Sequence, residues 1–197
     1  PVKRTRFAAA ATISALGSIM SNKFFVGNQT TNFYTMIVGN SASGKDRPIQ
    51  CVKNLFGKLQ KIDRVMGTPS SSWAIYDMLS PPDSKGISKR TEYPTLMIAT
   101  GESEQLIKSM SDKGNSFGQL IATTLLELYT SVKGEFLGST TKGGVRRGNC
   151  YSPAVSFVGS MTLEGFQESV NNKSIGSGLA GRFMFFPDSE PRMPEQP

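Results

Sequence analysis

The residues Met36-Ile37-Val38-Gly39-Asn40-Ser41-Ala42-Ser43-Gly44-Lys45-Asp46 constrain this chain more than any other stretch. A short apolar run bounded by turn residues reads as a buried strand of a parallel sheet. A small polar loop with glycine at both ends follows, and a lysine then opens a helical pattern. Over residues 45–61, Ile49, Val52, Leu55, Phe56 and Leu59 recur at helical spacing. Pro48 suits the first turn of that helix, where a missing N–H removes no internal bond. Gly39 to Lys45 fits G-x-x-x-x-G-K, in which loop N–H groups cradle phosphates and the lysine reaches the outer ones. The next position usually carries a serine or threonine whose hydroxyl helps hold magnesium; here it is Asp46.

Bulk properties narrow the setting. A chain of 197 residues supports one domain with a sizeable core and is short for two. The expected division is one domain over residues 1–187 and a proline-bearing tail over 188–197. Lys and Arg number 22 against 15 Asp and Glu, a net charge of +7 that favours an anionic partner. No histidine is present, and Cys51 and Cys150 lack CxxC spacing. Those two facts exclude the usual zinc sites and histidine-dependent nucleophilic catalysis. Two unpaired thiols suit a cytoplasmic protein, in the host cytoplasm if the chain is viral. No apolar run is long enough to span a bilayer, so no membrane partner is expected. Residues 7–20 are apolar and follow Lys3, Arg4 and Arg6, as a signal peptide would, but they lack a cleavage site and read as a folded helix. A chain starting on Pro1 reads as a fragment or a processed product.

Further strands are expected at 23–26, 95–99, 154–159 and 183–186, and helices at 70–79, 117–132 and 163–170. The 117–132 segment is the clearest amphipathic helix, with Phe117, Leu120, Ile121, Leu125, Leu128 and Val132 on its apolar side. Strand ends carry the polar candidates. After the 95–99 strand stand Thr100, Gly101, Glu102, Ser103 and Glu104, where a carboxylate can hold magnesium or activate water. Glu102 is the first candidate there, although a glutamate at a helix start also simply complements the dipole. Ser160 and Thr162 follow the third strand, placed to contact a terminal phosphate or merely to cap the next helix. Arg182 enters the last strand after a glycine run. It reads either as an arginine finger reaching a neighbouring subunit or as a solvated strand-end arginine. Residues 134–149 combine glycines with Lys142, Arg146 and Arg147, a composition that suits either a nucleic-acid-contacting hairpin or a surface connection.

Taken together, IVGNSASGKD, LMIATGES, LLELYTS, PAVSFVGSMTLEGF and GLAGRFMFF resemble the ATPase domain of phage and mobile-element primase–helicase proteins. These are P-loop NTPases of the AAA+/RecA-like kind, and the resemblance spans roughly residues 3–186. It implies an α/β fold, a mostly parallel sheet flanked by helices. It also implies ATP and magnesium as ligands, single-stranded DNA as a partner, and a homo-oligomer such as a hexameric ring. Lys45 would bind the outer phosphates and residues 39–44 would supply backbone amides. Asp46 and Glu102 would be the metal ligands, Ser160 or Thr162 the sensor, and Arg182 the finger. Two positions depart from the family: Asp46 replaces the hydroxyl residue, and Gly101 stands where the acidic pair should begin.

Three functions follow as expectations. The first is an ATP-hydrolysing DNA motor, the helicase part of a DNA-replication protein, with Lys142, Arg146 and Arg147 lining a pore. The second is a P-loop binding or assembly module whose hydrolysis site has degenerated, which Asp46 and Gly101 favour. The third is a small-molecule kinase, supported by the loop alone.

Overall fold

Strands that carry no charge and are apolar on both alternating faces have nowhere to go but the middle of a covered sheet. The computed structural model describes residues 5–27, 29–84, 88–112, 114–131, 133–140, 146–169 and 178–188. It begins with helix α1 (Thr5–Met20), a short hairpin of β1 (Phe25–Val26) and β2 (Gln29–Thr30), and strand β3 (Tyr34–Val38). Helix α2 (Asp46–Lys58) leads to β4 (Val65–Met66), α3 (Ser72–Leu79), β5 (Thr91–Glu92) and β6 (Thr95–Thr100). Helices α4 (Glu104–Ser111) and α5 (Ser116–Thr130) come next, followed by short strands β7 (Glu135–Phe136), β8 (Ser139–Thr140), β9 (Arg146–Arg147) and β10 (Cys150–Tyr151). Strand β11 (Ala154–Met161), helix α6 (Leu163–Ser169) and β12 (Phe183–Pro187) complete the order.

The fold is α/β. Five parallel strands form the central sheet in the order β12-β3-β11-β6-β4. All eight residues of β11 and all five of β3 are buried. Helices α1 and α2 cover one face, where Phe7, Ala11, Ile49, Val52 and Phe56 pack on Ile37, Met97, Ala99 and Val158. On the other face Ile75, Leu106, Leu125 and their neighbours pack on Met36, Leu96, Ile98 and Phe157. The α6 ring of Phe166 meets Phe185 edge-on, 5.0 Å between centroids, on that same side.

Crossover handedness explains this division. The step from β3 to β4 moves toward one edge and carries α2 on the first face. The three later steps move the opposite way and carry α3, α4 with α5, and α6 on the second face. A single hand of crossover requires that pairing of direction with face. The first face therefore receives only one crossover helix, and α1 covers the rest of it. Ala10, Ala11 and Ala15 are small enough to let α1 lie close. Its buried Ser14 hydroxyl sits 2.6 Å from Thr35 Oγ1 and donates to the Phe157 carbonyl at 3.2 Å.

Most expected elements appear within a few residues of their expected bounds. Ser71 caps α3 by accepting from the Ala74 N–H at 3.3 Å, as the serine run suggests. Residues 29–30 form β2, which pairs with β1 as a hairpin. The 117–132 pattern forms α5, but Phe117 and Leu120 are 70% and 53% exposed and are not core. Gly118 presses the first turn of α5 against the α4 backbone, which turns residues 117 and 120 outward. The 134–149 segment contributes β7 to a small sheet with β10 and β5, and β8 pairs with β9 as a hairpin. Lys142, Val132 and the tail beyond residue 188 lie outside the described residues. Among the described residues, no helix is long and apolar enough to cross a membrane.

A Cβ at Gly118 would run into the Ser109 carbonyl. Gly118→Ala is therefore expected to lower stability by about 2 kcal/mol despite alanine's better helix propensity. Urea denaturation followed by circular dichroism measures this, and an unchanged or raised midpoint would contradict the packing.

Candidate functional site

Parallel strands deliver all their C-terminal ends to one edge of the sheet, which is where α/β folds build sites. At that edge three connections meet: residues 39–45 after β3, 101–103 after β6, and Thr162 after β11. Main-chain bonds tie them together. The Gly39 N–H donates to the Met161 carbonyl at 3.1 Å, and the Ser103 N–H donates to the Ser160 carbonyl at 2.9 Å.

The 39–45 loop is shaped by two glycines for different reasons. A Cβ on Gly39 would lie 2.8 Å from Ser43 Oγ and 2.9 Å from Phe7 Cζ, so the close approach of α1 requires glycine there. Gly44 adopts φ +78°, which glycine takes without strain, and Ala42 adopts φ +60°. Among the described residues, the N–H groups of Ala42, Gly44, Lys45 and Asp46 find no hydrogen-bond acceptor. They stand at the N-terminus of α2, whose dipole favours an anion. Lys45 flanks that turn, half-buried and with no ion-pair partner among the described residues.

Asp46 and Gly101, the two departures from the family pattern, occupy one space. The Ser160 hydroxyl faces two acceptors, Asp46 Oδ1 at 2.6 Å and the Gly101 carbonyl. A Cβ on Gly101 would sit 3.5 Å from Asp46 Oδ1. An aspartate at 101 would thus set a second carboxylate against the first, a costly like-charge pair. A carboxylate from the start of α2 thus stands beside the end of β6, and the serine hydroxyl faces it from β11.

Glu102 and Glu104 separate clearly. Glu102 is exposed and makes no hydrogen bond or ion pair among the described residues. Glu104 Oε1 accepts the Thr162 N–H at 2.7 Å, joining the connections after β6 and β11. Hydrogen bonds from Thr162 hold the Glu104 carboxyl below its ordinary value, and the charges of Lys108 and Lys45 act in the same sense. Glu104 therefore lies within electrostatic reach of Lys45. Thr162 itself caps α6, its Oγ1 accepting the Gly165 N–H at 3.0 Å.

The remaining candidates lie elsewhere. Arg182 precedes Phe183, which pairs with Tyr34 at the start of β3. The loop leaves the other end of β3, roughly 13 Å along the strand. Its Nη1 donates to the Gly178 carbonyl at 2.8 Å, and its guanidinium lies 5.8 Å from the Tyr129 ring centroid. Arg182 does not reach the loop of its own chain. Arg147 pairs with Asp77 at 3.2 Å and stacks over Trp73, so both its charge and that of Asp77 are already engaged. Arg146 lies on β9, whose chain runs through β10 into the start of β11, away from Lys45. Asp112 Oδ1 accepts the Gly114 N–H and takes no part in the site. Among the described residues no cluster of three or more His, Cys, Asp or Glu is placed to hold a metal.

The Glu104–Thr162 link makes a testable claim about pH. A carboxyl whose folded value is lowered stabilises the fold above its unfolded value, near 4.5, and loses that contribution as pH falls through the folded value. Glu104→Gln is expected to cost about 1 kcal/mol at neutral pH, given partial exposure. The gap from the unsubstituted chain should shrink between pH 5 and 3 in denaturant titrations. A gap independent of pH would refute the link.

No protein-family model matches the chain, and no curated protein matches it.

Proposed function

We propose that the chain binds ATP with magnesium on residues 39–46 and hydrolyses it as a helicase-type motor on single-stranded DNA in replication. The observation that carries the nucleotide reading is the set of unpartnered N–H groups before α2, flanked by the unpaired Lys45. A triphosphate is the ligand whose charge and length suit that arrangement. Magnesium in such sites uses one or two carboxylates and completes its shell with phosphate oxygens and water, so no cage of acidic residues is needed. Asp46 fits as its ligand, with Ser160 orienting the carboxylate. The ion would supply neutralisation of phosphate charge. Lys45 would bind the outer phosphates, with Glu104 within its electrostatic reach.

The DNA and oligomer parts rest on the family resemblance, the net charge of +7 and the basic β8–β9 segment. In that reading Arg182 serves a neighbouring subunit of a ring, because it lies far from its own loop. A second reading is favoured by the exposed, unpartnered Glu102 and by the amide already occupying Glu104: ATP binding without turnover, as an assembly module.

ATP hydrolysis measured with and without single-stranded DNA separates the two. DNA-stimulated turnover lost in Lys45→Ala supports the motor; Lys45-dependent binding without turnover supports the module; no ATP binding refutes both. The shared space of residues 46 and 101 adds a sharper expectation. Asp46→Ser should weaken magnesium-dependent ATP binding about tenfold, the scale of one lost charge-assisted contact. Adding Gly101→Asp should restore most of it. Failure of the double variant to recover would show that Asp46 does not stand in for the missing strand-end carboxylate.

A further inference from the structure

A cleft of about 280 Å³ lies at the start of β6, and Asn22, Lys23, Lys61, Arg64, Tyr93 and Thr95 are among the residues that line it. The six residues of β6 run from this cleft toward the edge that holds the loop, about 17 Å away along the strand. Helices α1 and α2 are each followed by a residue with left-handed backbone, Asn22 at φ +62° and Gln60 at φ +55°. In each case the next residue is a lysine that lines the cleft. Arg64 adds a third cation from the short turn before β4, where its Nη1 donates to Thr95 Oγ1 at 3.1 Å. None of the three makes an ion pair among the described residues. Glu92, next to Tyr93, is engaged by Arg90 at 2.6 Å, and Asp63 does not line the cleft. Cations after a helix ordinarily complement its dipole. Two helix ends carry about one negative charge together, so three cations leave the cleft positive.

Two further features point to a ligand. Asn22 Oδ1 accepts from the Ser152 hydroxyl at 3.2 Å, while its Nδ2 is buried with no acceptor among the described residues. A buried donor left so is costly, and an anionic oxygen in the cleft would satisfy it. Tyr93 is 50% exposed and adopts φ +53°, a backbone region that a bulky residue rarely takes. Its N–H donates to the Tyr151 carbonyl at 2.8 Å, and the two rings stand perpendicular with centroids 5.5 Å apart. Strained backbone held in place by its neighbours clusters at ligand sites.

We propose that this cleft binds single-stranded nucleic acid, with backbone phosphates on Lys23, Lys61 and Arg64 and one base stacked on Tyr93. The inference deepens the DNA part of the motor reading and rests on that part alone, not on ATP. The combination of cations with an exposed ring selects the occupant. A free phosphate would use the cations and Asn22 without the ring, and a duplex keeps its base faces stacked on one another. Single strands offer a charged backbone and a free ring face together.

Binding of a fluorescein-labelled oligothymidylate of about 15 nucleotides to the 197-residue chain, followed by anisotropy without nucleotide, tests this. Between about 50 and 200 mM salt the log–log slope should be about −2, as for three phosphate contacts on a single strand. Lys23→Gln with Lys61→Gln should reduce it to about −0.7. Tyr93→Leu should weaken binding about tenfold and leave the slope unchanged, whereas Tyr93→Phe should bind within about twofold of the unsubstituted chain. An abasic strand of the same length, which needs no variant, should also bind about tenfold more weakly. Lys45→Ala should bind the strand normally. An abasic strand or a duplex bound as tightly as the oligothymidylate overturns the proposal. Loss of binding in Lys142→Gln with Arg146→Gln, and none in Lys23→Gln with Lys61→Gln, assigns the strand to the 134–149 segment; that overturns the cleft and leaves the motor reading standing. If no strand binds even at the lowest salt, the cleft and the DNA part of the motor reading fall together, while ATP binding stands or falls on its own test.

Discussion

Every strand of the central sheet runs the same way, and the rest of the structure depends on that. A parallel pair cannot be closed by a tight turn, so each strand must be followed by a covering element before the next begins. With one hand of crossover, the direction of each step chooses the face its helix covers. Only the β3-to-β4 step runs toward the β4 edge, so one face is left under-covered, and α1 lies over it. That helix is held by small residues and by the buried Ser14–Thr35 contact at 2.6 Å. The same geometry leaves a cleft between α1 and α2, whose α1 side is lined by Ala8, Ala11, Thr12, Ala15 and Leu16, mostly small side chains that fill little of the space.

The parallel arrangement also gathers polar residues from distant parts of the chain. Residues 46, 101, 104, 160 and 162 meet because β3, β11 and β6 are adjacent and end at one edge. Their contacts form a chain of dependence: Glu104 holds the Thr162 amide, Ser160 faces the Gly101 carbonyl and Asp46, and the Gly39 N–H binds the Met161 carbonyl. Such a network ties the ends of three strands together through one main-chain bond and the side chains of Glu104, Ser160 and Asp46, and it lies beside the loop before α2. The donors of residues 42, 44, 45 and 46 are therefore held next to a hydrogen-bonded frame, which lowers the ordering cost of binding an anion there.

Legibility differed by kind of residue. The strand–loop–helix around Gly39 was readable because its signal is local: an apolar run, glycines at fixed offsets and a helical period. Ser71 was readable as a cap for the same reason. Phe117 and Leu120 were not, since their periodicity matches the core residues Ile121 and Leu125, and only the approach of α4 at Gly118 decides which side of the first turn is covered. Glu102 and Glu104 were indistinguishable in the sequence; two residues of chain decide which carboxylate turns toward Thr162. The edge strand β4 has two residues and no period to detect.

By itself the sequence determined the class of fold, the place of the glycine loop and the absence of histidine chemistry, because composition and short-range period need no knowledge of neighbours. Tertiary structure alone decided what Asp46 and Gly101 mean. Read along the chain they are two separate losses, 55 positions apart. In space they are neighbours, because a Cβ on Gly101 would meet the Asp46 carboxylate at 3.5 Å, and a second carboxylate set there would carry the cost of a like-charge pair.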